Sequence, residues 1–159
     1  MTGSITNDRV YKIGDYAFAS TGISAINCAS ARDIGDYAFY RCTSLTTINC
    51  PSVLTIGYGA FQGCSKLTNI DCFPNATDIW GNAFQGCSKL VSVNFPKVTD
   101  LLSSAFYYCR SLTTAIFPEA TYVGSYAFQE CIKLSNISFP KAGIIYSGAF
   151  GSCSSLSII

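Results

Sequence analysis

Residues 56–67, IGYGAFQGCSKL, contain the unit that decides the fold of this 159-residue chain. The Ala-Phe pair at its centre occurs seven times, and successive Phe residues are separated by 21, 22, 23, 22, 22 and 22 residues. A regular period of this length predicts stacked coils that bury one continuous core between them. The repeated residues are Phe18, Phe39, Phe61, Phe84, Phe106, Phe128 and Phe150.

The segment that follows each Ala-Phe unit predicts a β-strand. Residues 45–50, 90–95 and 134–139 share the pattern L-x-x-[IV]-x-[CF], in which apolar and polar residues alternate over the last four positions. Proline follows in most coils and ends the strand because it lacks the N–H group that a ladder needs. A period of 20 to 29 residues with this strand pattern is typical of a leucine-rich-repeat solenoid. Phe73, before Pro74, reads as a one-residue insertion that explains the 23-residue gap.

The Ala-Phe unit itself predicts a short helical turn. Ile56, Ala60, Phe61, Cys64 and Leu67 follow one another at spacings of 4, 1, 3 and 3, which places them on one face of a helical turn. A glycine precedes the unit in four coils, where we expect a bend with unusual backbone dihedrals. These glycines are Gly14, Gly35, Gly57 and Gly124.

The complete unit, I-G-x-x-A-F-x-x-C-x-x-L-x-x-[IV]-x-[CF]-P, resembles the BspA-like (Treponema pallidum-type) leucine-rich repeat over residues 13–159. The resemblance implies a right-handed β/α superhelix of about seven 22-residue coils, with parallel strands on one face and short helical turns on the other. It also implies a surface or secreted protein of bacteria or protozoan parasites that adheres to host matrix proteins or to other microbes. Similar arrays occur within phage tail proteins, and the family offers no catalytic motif.

Composition excludes several classes of function. The net charge is +1, only 12% of residues are charged, and 49% are hydrophobic, so neither nucleic acid nor an anionic membrane is an expected partner. The chain has no histidine, the commonest acid–base residue and metal ligand. Asp15, Asp33 and Asp36 are separated carboxylates, which more often solvate a surface than form a glycosidase pair. We therefore expect no catalytic residue, no cofactor and no metal.

The nine cysteines fall into two columns. Six follow the Phe of an Ala-Phe pair, and Cys28, Cys50 and Cys72 end the strand pattern, where later coils carry Phe. A position that accepts Cys or Phe needs an apolar side chain rather than a thiol. Stacked coils lie about 4.8 Å apart, further than the Cβ separation of a disulfide. Buried free thiols are thus favoured over a disulfide ladder or a metal site.

The outward strand residues form the first candidate binding surface. They are small, mostly uncharged polar residues, suited either to a merely solvated face or to broad recognition through hydrogen bonds. By coil they are Ala25 and Asn27, Thr47 and Asn49, Asn69 and Asp71, Ser92 and Asn94, Thr114 and Ile116, and Asn136 and Ser138.

Exposed tyrosines form the second candidate surface. Seven of the ten tyrosines lie around the Ala-Phe units at positions that differ between coils, so we expect partly exposed rings. Such rings either cover neighbouring coils or bind a partner, since tyrosine offers contact area with little loss of entropy. The adjacent pair Tyr107 and Tyr108 is the strongest candidate. A protein is the expected partner and a glycan the alternative.

The two ends carry further expectations. Residues 1–12 read as an N-terminal cap or leader, and residues 13–159 as a single array with an uncapped C-terminus. The uncapped end predicts a fragment, a truncated piece of a longer chain, or end-on contact with another subunit. No secretion signal and no apolar stretch of about 18 residues is recognised. The sequence as a whole predicts a non-enzymatic interaction module, at the cell surface or secreted as part of a longer chain, with a carbohydrate-binding module or a segment of a larger assembly as alternatives.

Overall fold

A computed structural model describes residues 2–157, which form thirteen β-strands. All strand pairs are parallel, as stacked coils require. The strands are β1 Thr2–Thr6, β2 Lys12–Ile13, β3 Gly22–Asn27, β4 Asp33–Ile34, β5 Thr47–Asn49, β6 Thr55–Ile56, β7 Asp78–Ile79, β8 Ser92–Asn94, β9 Asp100–Leu101, β10 Thr114–Ile116, β11 Tyr122–Val123, β12 Asn136–Ser138 and β13 Ile144–Ile145.

Each typical coil contributes one strand to each of two sides of the solenoid. On the first side, β1, β3 and β5 form one three-stranded sheet, and β8, β10 and β12 form another. On the second side, β2, β4, β6, β7, β9, β11 and β13 form one continuous seven-stranded sheet. Equivalent positions of adjacent coils are in register, as Thr55 with Asp78 and Ile56 with Ile79 show. The predicted leucine-rich-repeat solenoid with stacked coils and parallel strands is therefore confirmed.

The predicted helical turns are wrong, because the Ala-Phe units form successive β-turns. The N–H groups of Gly59, Phe61 and Gly63 donate to carbonyl oxygens of the next coil, at 2.7–3.0 Å, whereas those of Ala60 and Gln62 donate three residues back. A helix would keep all of these bonds within one segment. The backbone is left-handed at two positions per coil, for example φ 58° at Gly59 and φ 77° at Gly63, which no continuous right-handed helix permits. Residues 2–157 accordingly contain no helical segment that could cross a membrane.

The glycine that precedes the Ala-Phe unit in four coils has a different role from the one expected. No positive φ occurs at Gly57 or Gly124, so an unusual dihedral is not the reason for glycine there. A Cβ atom at Gly124 would lie 2.7 Å from the backbone nitrogen of Ser103, in the preceding coil. Close approach between coils therefore favours glycine at this position.

The core contains two columns of phenylalanine rings. The rings of the Ala-Phe pairs stack nearly parallel, with centroids 5.3 Å apart between Phe61 and Phe84 and 5.2 Å apart between Phe84 and Phe106. A second column, which includes Phe95 and Phe117, packs against the first at tilted angles. Among the described residues, every buried side chain is apolar or a cysteine. The predicted aromatic ladder is confirmed.

The first described residues extend the stack. Strand β1 pairs with β3, with a register shift between Gly3 and Ser4, and Ile5 packs against the core. A strand that covers the first edge in this way is compatible with a cap, and the assignment of residues 1–12 as cap or leader stays a prediction. The predicted uncapped end includes Ile158 and Ile159, which lie outside the described residues.

Candidate interaction surfaces

The predicted strand face is present in two separate halves. Thr47, Asn49 and Asn94 are exposed on the first side of the solenoid. Asn49 continues the column of Asn27, with Asn49 Nδ2 donating to Asn27 Oδ1 at 2.9 Å. Ser92, Thr114, Ile116 and Ser138 are half-buried, whereas Asn136 is exposed. These residues face outward as predicted, and their part in binding stays a prediction.

The coil between β5 and β8 interrupts this face, because Asn69 and Asp71 do not belong to a strand. Asn69 Oδ1 accepts the backbone N–H of Asp71 at 2.6 Å, and Asn69 Nδ2 donates to Asp71 Oδ2 at 2.8 Å. Such a local side-chain bond competes with the strand ladder for the same backbone group. The polar strand face is therefore two surfaces of three strands, and not one continuous sheet as the sequence suggested.

The extra residue in this coil is Cys72 rather than Phe73. The ring of Phe73 is buried and lies 5.9 Å from that of Phe61, which matches the 6.1 Å between Phe95 and Phe84 one coil further on. Cys72 is half-buried instead. The larger ring fills the gap beside the phenylalanine column better than a thiol does, so the insertion displaces the cysteine outward.

The six cysteines that follow the Phe of an Ala-Phe pair form the thiol column, and their buried thiols donate hydrogen bonds between coils. Each Sγ atom donates to the carbonyl oxygen of the Phe in the preceding coil, as Cys64 to Phe39 at 3.1 Å and Cys109 to Phe84 at 3.2 Å. Eight of the nine cysteines are buried and all nine are free, as predicted. Burial raises the pKa of Cys87 to about 12 and that of Cys50 to about 11. Thiols held in the protonated form at neutral pH are poor nucleophiles and poor metal ligands.

The carboxylates that resemble a glycosidase pair are used within the fold. Asp15 Oδ1 accepts the backbone N–H of Asp36 at 2.9 Å, and Asp36 Oδ1 accepts that of Tyr58 at 2.8 Å. Each aspartate thus satisfies a backbone donor of the next coil. Residues 2–157 bring together no group of three Cys, Asp or Glu side chains able to hold a metal ion.

The tyrosines around the turns are partly exposed, as predicted. Tyr16, Tyr58, Tyr108 and Tyr126 are exposed, and Tyr107 is half-buried. The backbone of Tyr108 and Tyr126 is left-handed, with φ 63° and 60°. A left-handed conformation is unfavourable for a residue with a Cβ atom, so these tyrosines are present despite the local preference of the backbone for glycine.

Tyr107 and Tyr108 line a shallow groove across four coils, with a volume of about 300 Å³. We call it the turn groove. Gln62 Nε2 donates to Gln85 Oε1 at 3.0 Å in its centre. The guanidinium carbon of Arg110, at its rim, lies 4.0 Å from the ring centroid of Tyr108. The residues that line the groove are Tyr40, Arg41, Gln62, Gly63, Gln85, Gly86, Tyr107 and Tyr108.

The second side of the solenoid carries a surface that the sequence reading missed. Trp80 is 51% exposed there, beside the carboxylates of Asp78 and Asp100. These residues and Leu102 line a depression of about 150 Å³. Trp80 occupies a column that is glycine in most coils, and a tryptophan at a position usually held by glycine was the available signal.

Charged side chains are segregated, although the net charge is only +1. Between the Phe of each Ala-Phe pair and the next Leu lie five cations and a single carboxylate, Glu130. We call this strip the basic edge, formed by Arg41, Lys66, Lys89, Arg110 and Lys133. Five carboxylates and two cations lie around the seven-stranded sheet, namely Asp15, Asp33, Asp36, Asp78, Asp100, Lys12 and Arg32.

An apolar hollow of about 330 Å³ lies at the coil that contains β12 and β13. Phe139 and Phe150 are half-buried there, whereas the equivalent Phe117 and Phe128 are buried. Ile144 and Ile145, on the neighbouring strand, are 51% and 48% exposed. The described residues therefore leave apolar surface uncovered at this end.

Repeat, register and stacked core together define a leucine-rich-repeat solenoid protein. The family described as the BspA type leucine rich repeat region matches residues 2–113 and 99–159, in six copies. The chain therefore belongs to the BspA-type leucine-rich-repeat family, as the resemblance indicated. No functionally curated protein matches it.

Solved structures of bacterial proteins share the fold. A leucine rich cell surface protein from Faecalibacterium prausnitzii is similar, with 30% identity and a TM-score of 0.74 over 89% of this chain and 48% of that one. A leucine-rich repeat protein from Eubacterium ventriosum has 27% identity and a TM-score of 0.84 over 100% and 44%. The T. pallidum leucine rich repeat protein, at 22% identity and a TM-score of 0.61 over 98% and 83%, shares the fold alone. The chain thus spans about half the length of the first two proteins.

Proposed function

We propose that this chain is a non-enzymatic protein-binding module that acts at a cell surface or in a secreted protein, in adhesion to host matrix or surface proteins. The family and the similar cell surface protein from Faecalibacterium prausnitzii support this role. The observation that carries the proposal is the exposure of Trp80 between Asp78 and Asp100. Tryptophan is enriched among residues that dominate binding energies, and flanking carboxylates favour a basic segment of the partner.

The polar strand face is the second part of the proposed interface. Most of its members offer amide or hydroxyl groups, along two three-stranded sheets and the coil that separates them, which suits recognition by many hydrogen bonds. The residues proposed for this contact are Thr47, Asn49, Asn69, Asp71, Ser92, Asn94, Thr114, Ile116, Asn136 and Ser138.

Binding to a panel of matrix proteins, produced without glycans and immobilised, tests this function. Trp80→Gly restores the residue that most coils have in this column, so the fold is retained, and we expect affinity to fall about tenfold or more. Val91→Thr is the matched control, since Val91 is 47% exposed elsewhere and the other coils have threonine or serine in its column. The double variant Asn49→Ser, Asn94→Ser tests the strand face. Serine is tolerated at this position of the coil, because Ser138 occupies the equivalent place. Unchanged affinity in all of these variants would contradict the proposal.

End-on self-association is a separate proposal that rests on the apolar hollow beside Phe139 and Phe150. Light scattering over a concentration series measures it. We expect Ile145→Lys to abolish any association, because a lysine in this hollow would be buried without a partner. A species that is strictly monomeric at every concentration would contradict it.

A further inference from the structure

We infer that the turn groove binds an acidic oligosaccharide, one that carries carboxylate or sulfate groups. This inference goes beyond the protein-binding role and does not depend on it. The groove lies on the basic edge, away from Trp80 and the strand face, and it combines aromatic rings, paired amides and an arginine.

The polar groups of the groove match sugar hydroxyls. Because Gln62 Nε2 donates to Gln85 Oε1, Gln62 Oε1 remains an acceptor and Gln85 Nε2 a donor, and neither makes another hydrogen bond among the described residues. A hydroxyl group both donates and accepts, so it can bind an amide at either atom. Gly86 leaves part of the floor open to a flat ring, since a Cβ atom there would meet only the backbone of Gly63, at 3.8 Å. The Arg41 side chain lies over Gly63, 3.2 Å from the corresponding Cβ position.

Aromatic rings line both ends of the groove. Tyr40 and Tyr107 line the groove in coils three steps apart, so they are separated by about 14 Å at the usual spacing of stacked strands. That span suits a short oligosaccharide, whose rings present C–H groups to an aromatic face. Tyr108 keeps its ring at this rim despite a left-handed backbone, φ 63°, at which glycine occurs in the two preceding coils.

Charge selects an acidic sugar over a neutral one. The two ion pairs within residues 2–157 are Arg110 with Glu130 and Lys141 with Glu119, so no carboxylate there pairs with Arg41. Lys66 and Lys89 are exposed three residues after Gly63 and Gly86. A planar guanidinium binds a carboxylate or sulfate group through two parallel hydrogen bonds.

A peptide fits this groove less well. The N–H groups of Arg41, Gly63 and Gly86 already donate to carbonyl oxygens of the next coil, at 2.7–2.8 Å, so an extended peptide finds no free strand edge. The lining contains no aliphatic side chain that would form an apolar pocket. The known modes of peptide docking need one of these features or closely spaced aromatic ridges.

Calorimetric titration with three tetrasaccharides tests the inference. The probes are a galacturonate tetramer, a sulfated tetrasaccharide prepared from heparin, and a neutral galactose tetramer. We expect at least one acidic probe to bind about tenfold more tightly than the neutral one, and its affinity to fall when salt rises from about 0.05 M to about 0.5 M. The stronger of the two acidic probes identifies the preferred group.

Variants taken from the repeat itself provide matched controls. Tyr108→Gly removes a groove ring, and Tyr126→Gly removes an equally exposed tyrosine outside the groove. Arg41→Ser removes the groove arginine and introduces the residue that two other coils have at the equivalent position, Ser20 and Ser152. Arg32→Thr is its control outside the groove, since three other coils have threonine at that position, namely Thr77, Thr99 and Thr121. We expect about tenfold weaker binding for the two groove variants and less than about twofold change for the two controls. The inference is overturned by equal affinity for acidic and neutral probes, by no binding of any probe, by equal loss in the controls, or by tighter binding of a polyglutamate or proline-rich peptide.

Discussion

The thiol of Cys87 donates a hydrogen bond to the carbonyl oxygen of Phe61 in the preceding coil, at 3.3 Å. The same carbonyl accepts the backbone N–H of Cys64 at 3.1 Å, so one oxygen joins its own coil and the next. Thr21 takes the place of the thiol in the first coil and donates to Phe18 O at 2.8 Å. Every residue of the column thus combines a small side chain with a donor, although Thr21 donates within its own coil.

Substitutions at Cys87 separate these two properties. We expect Cys87→Ala to lower the free energy of unfolding by about 1–3 kcal/mol, since it removes a hydrogen bond and leaves a small cavity. Cys87→Ser retains a donor and should be the less destabilising change. Urea unfolding of both variants measures the order. If alanine is tolerated better than serine, the thiol acts only as an apolar filler.

The raised thiol pKa values predict a loss of stability at high pH. Burial raises the pKa of Cys87 from 9.0 to about 12, so between these values the unfolded chain loses a proton that the folded chain retains. The contribution of this thiol is complete below pH 9 and declines by up to about 1.4 kcal/mol per pH unit as the pH rises toward 12. Unfolding free energies at pH 8 to 10.5 should fall less steeply for Cys87→Ser than for the unmodified chain. Parallel curves would contradict the assignment.

Deletion of Cys72 should join the two halves of the strand face. Without this residue, positions 67–74 read L-T-N-I-D-F-P, which is the strand pattern of the other coils. We expect residues 69–71 to pair with Thr47–Asn49 and Ser92–Asn94, and the thermal midpoint to rise. Amide hydrogen exchange at Ile70 is the readout, with Ile48 as the internal reference. Continued fast exchange at Ile70 would show that the Asn69 side-chain bond alone prevents pairing.

The central phenylalanine column should dominate stability. Phe84 is fully buried and stacks against Phe61 and Phe106. We expect Phe84→Ala to cost about 3–5 kcal/mol, and Phe18→Ala, at a half-buried terminal position, to cost less. Denaturant unfolding compares the two. Equal losses would indicate that the coils do not share one core.

Glycine substitutions at turn positions with a left-handed backbone should stabilise the folded chain. Ser104 has φ 58°, which is unfavourable for a residue with a Cβ atom, whereas Ser103 has no positive φ. After allowing for the greater entropy of an unfolded glycine, we expect Ser104→Gly to stabilise the chain by about 0.5–1 kcal/mol. Ser103→Gly should destabilise it by a similar amount. Thermal unfolding of the pair measures the difference, and the same sign for both would be inconsistent with the assigned backbone.

The fold was predictable because spacing alone determines which side chains stack. The 22-residue period places Phe84 and Phe106 in adjacent coils one above the other, whatever the local backbone. The conformation of the Ala-Phe units was not predictable in this way, since spacings of 4, 1, 3 and 3 suit a helix and a run of β-turns equally. The distinguishing residues were Asn82, Gly63 and Gly86, which favour left-handed dihedrals.

The candidate surfaces were predictable only in part. Exposure of Tyr108 followed from its variable position, but the turn groove requires the register of Gln62 with Gln85, which appears only once the coils are stacked. Trp80 was hidden within a column assigned to glycine. The net charge of +1 also gave no sign that cations and carboxylates lie on different sides of the solenoid, as Arg41 and Asp78 do, because a sum of charges contains no information on position.

The thiol column also determines whether the chain can refold after it has unfolded in an oxidising medium. Eight of the nine reduced cysteines are protected while the coils remain stacked, because burial keeps them protonated and out of contact with oxidants. Unfolding in an oxidising medium would release all nine at once, and random cross-linking would then prevent refolding. Lifetime under such conditions is set by the rate at which the stack first opens, and not by the equilibrium between the two states.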